Sequence, residues 1–169
     1  MATHGGSVRG QASGRRTNWS LKALVGSGDK IVLATLPFVI VGVILNAAFP
    51  SVFSVGGPPE ALRVISIVVS IVGVAVWLWS AALILLRVPR GELITTGPFA
   101  WVKHPIYTSV ALLVIPWVGF LLDTWLGAVL GIVLYLASRR FAPGEEAELS
   151  RTFGPAWDRY AASVKLAWL

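Results

Sequence analysis

The residues with the most chemical capacity in this chain lie in two short segments. One is a loop holding Gly97-Pro98-Phe99 and then Lys103-His104-Pro105-Ile106-Tyr107, and the other is the pair Glu145-Glu146. Together they supply an imidazole, an ammonium, a phenol and two carboxylates, groups suited to moving a proton or to binding a cationic or hydroxyl-bearing ligand. His104 precedes a proline, which biases its backbone toward an extended form at the mouth of a helix. Tyr107, three residues on, falls on the first turn of that helix and near His104. Gly97 and Pro98 form a turn able to bring backbone groups close to a ligand.

Each of these residues also has an ordinary structural role. His104 can cap a helix, Tyr107 can belong to an aromatic belt at a membrane surface, and the glutamates can start a helix, gaining about 0.3–1 kcal/mol from its dipole. Other chemistries find less support. One usable histidine with carboxylates has no recognisable metal-ligand spacing, so no metal site is expected. Catalytic triads and phosphate-cradling glycine loops are absent, and the chain has no cysteine, which excludes disulfides and thiol catalysis.

The elements that must position these groups are apolar. Hydrophobic residues make up 56% of the 169 positions and charged ones 13%, beyond the roughly 45–50% apolar content of soluble domains. Apolar blocks at 31–49, 61–86, 105–122 and 124–141 approach or exceed the ~17–25 residues that cross a bilayer as a helix. Only Asp123 separates the last two, so they are expected to form a tight hairpin. Pro37 and Pro116 predict kinks within their helices, not breaks.

Charge predicts the orientation. Thirteen of the fourteen basic residues flank the chain's ends or the segment between the second and third blocks, leaving Arg63 alone on the other side. Four crossings with both termini cytoplasmic satisfy the positive-inside rule and place the 93–107 loop and Glu145-Glu146 in one compartment. The net charge of +6 follows from this flanking pattern, and no nucleic-acid partner is expected. The division expected is a disordered basic tail over 1–28 without a cleaved signal, two membrane helices over 29–90, and a core over 91–169.

Beyond the fourth block, Pro143 suits the first turn of a short helix that Gly154-Pro155 should end, with another helix following. Ala142, Glu145, Glu146, Leu149, Phe153, Trp157 and Tyr160 share one face of the pair. On residue types alone this is an interfacial amphipathic helix pair with Trp157 and Tyr160 at headgroup depth; the alternative is a lid whose carboxylates turn back toward the loop. The fold class expected is therefore an all-α integral membrane protein of about four transmembrane helices plus a C-terminal cytoplasmic amphipathic helix pair.

The combination of Gly-Pro-Phe, Lys-His-Pro-Ile-Tyr at the head of a span, a further span, Glu-Glu-Ala-Glu-Leu and Phe-Gly-Pro-Ala-Trp-Asp-Arg-Tyr resembles a membrane methyltransferase family. That family includes the isoprenylcysteine carboxyl methyltransferases and phospholipid N-methyltransferases, and the resemblance covers roughly 93–164. It implies an S-adenosylmethionine site, with S-adenosylhomocysteine as product, between the loop and the helix after the fourth span. On this resemblance Gly97, Pro98, Phe99, Lys103, His104, Pro105, Tyr107, Glu145, Glu146 and Leu149 bind the cofactor. Phe153, Gly154, Trp157 and Tyr160 match its closing segment. Lys103 stands where the family has arginine, and the two differ wherever a planar fork is needed.

The implied partners are the lipid bilayer and a lipophilic acceptor: an isoprenylcysteine carboxylate, an aminolipid or a small apolar molecule. Arg140 could orient an anionic acceptor group and Glu146 act beside it as the catalytic pair, although Arg140 also suits a boundary anchor. The C-terminal region resembles in addition the nicotinamide-dependent sterol C14-reductases, which are much longer. A four-span transporter or scaffold is the non-enzymatic alternative, but the spans offer only Asn46, Ser66, Ser70 and Ser80 as interior polar groups.

Overall fold

The computed structural model describes residues 28–166, and these are helical with no strand. Of the tail expected over 1–28, residues 1–27 lie outside the described residues, and Gly28 begins the first helix. In chain order the elements are α1 (Gly28–Ala48), α2 (Pro50–Phe53), α3 (Glu60–Arg87), two 3-10 turns (Val88–Arg90 and Gly97–Ala100), α4 (Pro105–Ser109), a π turn (Val110–Val114), α5 (Ile115–Leu121), α6 (Leu126–Phe153) and α7 (Pro155–Ser163).

Among the described residues, three helices are long and apolar enough to cross a membrane: Gly28–Ala48, Glu60–Arg90 and Leu126–Phe153. The protein is thus an integral membrane protein, with exposed Val, Ile and Leu covering α1 and α3. The third expected span is shorter, Pro105–Leu121, and at 1.5 Å per residue reaches only about 25 Å. Its π turn has a local cause. Pro116 has no N–H to donate, and the chain widens ahead of it so that the Ile115 N–H bonds to the Val110 carbonyl, five residues back. The helix therefore passes through Pro116, and α1 likewise runs through Pro37.

Small residues let these helices approach. Ser66, Ser70, Gly73 and Ser80 are buried along one stripe of α3, and a Cβ at Gly73 would lie 2.7 Å from the Leu113 Cβ in the π turn. Gly119 and Gly127 meet across the hairpin, where a Cβ on either would lie 2.7 Å from the other's Cα. A Cβ at Gly131 would strike the Ala111 carbonyl oxygen and stand 2.8 Å from the Pro116 Cγ. In lipid, where apolar burial gives little drive between helices, such close contact is a principal source of association.

The hairpin turn is tied to the loop after α2. Asp123, at φ +55°, accepts hydrogen bonds from the Ser54 hydroxyl at 2.6 Å and the Gly57 N–H at 2.9 Å. The Trp125 indole N–H donates to the Val52 carbonyl at 3.2 Å. These contacts fix one end of the bundle, and the polar groups of the 93–107 loop gather at the other.

Two expectations for the C-terminal part are corrected. Pro143 does not start a helix, because α6 continues unbroken from the fourth apolar block to Phe153. An interior proline costs about 3 kcal/mol locally, and contacts made by Glu145, Glu146, Leu149 and Phe153 beyond it hold the helix together. Nor do Trp157 and Tyr160 face headgroups: they are 5% and 6% exposed and form a core with Val164, onto which Leu93, Leu149, Phe153 and Ala161 pack. The expected break at Gly154-Pro155 is present, with Gly154 at φ +53° between α6 and α7. Gly131→Val is expected to cost about 1–3 kcal/mol through overpacking against Ala111 and Pro116, measured as a lower Tm in detergent; an unchanged Tm would contradict the close approach.

Candidate functional site

The loop is seated before it presents any side chain. Gly97 opens its 3-10 turn at φ +65°, and a Cβ there would lie 3.1 Å from the Trp79 ring and 3.2 Å from Leu83, both on α3. Glycine answers both demands, the left-handed backbone and the lack of space. Ile94, Pro98, Val102 and Pro105 are buried around it. His104 has φ −124° and ψ 62° and makes no side-chain cap, so the helix-capping role is not the one it fills.

Its imidazole instead bridges two carboxylates. Nδ1 lies 3.3 Å from Glu145 Oε2 and Nε2 lies 3.3 Å from Glu146 Oε1. Adjacent residues on a helix point about 100° apart, so Glu145 and Glu146 reach the ring from two sides. Lys103 adds its ammonium at 2.6 Å from Glu146 Oε1, and the Tyr107 hydroxyl donates to Glu145 Oε1 at 3.4 Å. The His104 and Tyr107 rings are 6.3 Å apart. The glutamates stand on α6 beyond its apolar part, which ends at Phe141, so they are boundary groups and not a helix start.

The electrostatics follow from this geometry. Burial lowers the His104 pKa, but hydrogen bonds and charge attraction from Glu145 and Glu146 outweigh it and leave the value raised above the ordinary 6.5. Both ring nitrogens can donate only in the imidazolium form, which suits two carboxylate partners. Glu146 is lowered to about 2, first by the hydrogen bond from His104 and then, against some burial, by Lys103. Lys103 meets one carboxylate oxygen as a point charge, where a guanidinium could make a two-pronged contact.

Of the expected site residues, Lys103, His104, Tyr107, Glu145 and Glu146 come together in one cluster. Gly97, Pro98 and Pro105 shape the loop that carries it. Leu149 sits in the Trp157–Tyr160–Val164 core, and Phe99 gives its carbonyl to the Tyr160 hydroxyl at 2.9 Å. Arg140 is exposed and lies about 120–140° around α6 from the glutamates at 100° per residue, apart from the cluster.

Sequence reasoning missed the support from the first two helices. Trp79 and Leu83 form the seat of Gly97, and a Cβ on Gly28 would lie 3.4 Å from the Tyr107 hydroxyl. Apolar residues in a membrane helix carry no mark of which neighbour they support.

The bridge sets a pH window. The imidazolium contribution of His104, with its raised value, is full below pH 6.5 and is lost as pH climbs through the folded-state pKa. That of Glu146 is full above pH 4.5 and lost as pH falls toward about 2. The Tm difference between wild type and His104→Gln should therefore be largest between about pH 4.5 and 6.5 and shrink on the alkaline side. A difference that is constant across this range would contradict the charged bridge.

A family model described as the isoprenylcysteine carboxyl methyltransferase (ICMT) family matches residues 60–150. No curated protein and no solved structure matches the chain. The matched region begins at α3, so the second apolar helix, in which the motifs gave no family signal, lies within the shared architecture together with the loop and the Glu145-Glu146 pair. It spans more than half of the residues, and the chain belongs to the isoprenylcysteine carboxyl methyltransferase family, a family of membrane methyltransferases.

Proposed function

We propose that this protein is an S-adenosylmethionine-dependent methyltransferase acting on a lipophilic acceptor at the membrane boundary. The observation that carries the proposal is the cluster of Lys103, His104, Glu145 and Glu146 beside the heads of two apolar helices. The residues suit the cofactor. Its amino-acid end is a zwitterion, and Glu146 with Lys103 offers an anion and a cation to match it. Glu145 would take ribose hydroxyls or the ammonium, and Tyr107 is placed to face a cation.

When bound, S-adenosylmethionine supplies a methyl group whose bond to sulfur breaks as the bond to the acceptor forms, leaving a neutral thioether, S-adenosylhomocysteine. The chain's own residues have to hold and align. Fixed alignment can lower the barrier by about 7–11 kcal/mol, and the rigid seat of Gly97 on α3 serves that end. His104, the natural candidate for a base, has both nitrogens beside carboxylates that raise its pKa above the ordinary value and oppose its giving up a proton. This favours an acceptor that is already anionic, a carboxylate, over an ammonium headgroup that must first lose a proton.

Arg140, exposed and about one and a half turns before the glutamates on α6, would meet such an anion at the membrane surface. In this reading Pro105–Leu121 completes a fourth crossing aided by local bilayer thinning, and the basic residues keep both termini and the cluster cytoplasmic.

Calorimetric titration of the purified protein in detergent tests the proposal. S-adenosylmethionine and S-adenosylhomocysteine should bind, NADPH should not, and His104→Ala or Glu146→Ala should weaken binding by about tenfold or more, the scale of one lost hydrogen bond to a charged group. Binding of NADPH in place of either adenosyl compound would overturn it.

A further inference from the structure

Tyr160 is not part of the charged cluster, yet it joins the two segments that form it. It is 6% exposed, on α7, and its hydroxyl donates to the Phe99 carbonyl at 2.9 Å across 61 residues of sequence. Phe99 lies in the turn that Gly97 opens. The neighbouring chain adds two further links to the same loop: the Leu166 N–H donates to the Trp101 carbonyl at 2.9 Å, and the Lys165 ammonium lies 4.1 Å from the centre of the Trp101 ring. The C-terminal segment therefore fastens the loop in addition to its seat on Trp79.

We infer that Tyr160 is a positioning residue for the methyl-donor site, its hydroxyl holding the Gly97–Ala100 turn at the spacing from Glu145 and Glu146 that the cofactor needs. This role rests on the proposed function and extends it to a residue outside the charged cluster. The Trp101 and Val102 N–H groups both bond to the Pro98 carbonyl, and the Phe99 carbonyl takes the Tyr160 hydroxyl as its donor. A phenol is well suited, because its ring can be buried in an apolar core while its hydroxyl reaches a partner. Burial pushes the Tyr160 pKa up to about 12, and the Glu146 carboxylate adds to the shift, so the group remains a donor throughout the working range. Trp157, packed at 5.3 Å between ring centroids, holds the ring in place.

Tyr160→Phe keeps the ring and removes the donor. S-adenosylhomocysteine affinity, measured in detergent micelles, should fall about tenfold, the scale of one buried hydrogen bond. That factor should stay constant from pH 6 to 9, and amide exchange at 97–102 should quicken. Ser150→Ala, which removes an exposed bond from α6 to Asp158 at 3.3 Å, should leave the affinity unchanged. A lowered Tm in Tyr160→Phe with wild-type affinity and exchange would show a merely structural role and overturn the inference. Failure of the wild type itself to bind S-adenosylhomocysteine would remove the methyl-donor reading and this role with it, whereas tight wild-type binding unchanged in the variant would remove this role alone.

Discussion

The imidazole of His104 between Glu145 and Glu146 is the interaction on which the rest of this structure turns. It links a loop to a helix across 42 residues of sequence and puts both ring nitrogens to use. Burying a histidine opposes its charge, and two carboxylates reverse that effect. The bridge needs α6 to extend past its apolar part, which it does. His104 reaches it at φ −124° and ψ 62°, turned away from the extended form that Pro105 favours, and Lys103 brings the cluster near neutrality by pairing with Glu146.

The bundle is built to hold that bridge. At the far end Asp123 ties the hairpin turn to the loop after α2, while in the middle Gly73, Gly119, Gly127 and Gly131 let helices approach to backbone contact. The register of the hairpin is thereby set, and with it the height at which Glu145 and Glu146 stand relative to His104. The π turn before Pro116 belongs to the same packing, since the Ala111 and Pro116 that flank its widened part are the atoms Gly131 meets. Loop, hairpin and C-terminal helix are then closed into one unit by the Trp157–Tyr160–Val164 core.

Much of this was legible in the sequence, for identifiable reasons. Apolar block length marks three membrane helices, while the third block, Pro105–Leu121, is shorter than these, and the uneven placement of Lys and Arg points to one end for His104 and the glutamates. Gly154-Pro155 marked its break because both residues act locally. Pro143 misled for the same reason: its local preference is for a helix start, and distant contacts at Glu145 and Glu146 prevailed. The inward placement of Trp157 and Tyr160 has no mark in the sequence, because periodicity shows that a face is apolar without showing what covers it. The seat of Gly97 on Trp79 and Leu83 left no mark in the sequence, since one apolar residue on a membrane helix looks like another.

The chain belongs to a family of membrane methyltransferases, and in the proposed function the cluster holds the methyl donor at the membrane boundary, with alignment and charge matching as the protein's contribution. The most direct test of the bridge is the 15N spectrum of the His104 side chain as a function of pH, with His4→Gln removing the other histidine signal. Two protonated ring nitrogens at pH 7, a pKa above 6.5, and a change in both signals on adding S-adenosylhomocysteine are expected. A neutral tautomer at pH 7 that titrates like a free histidine, near pH 6.5, would contradict the bridge and the site built on it.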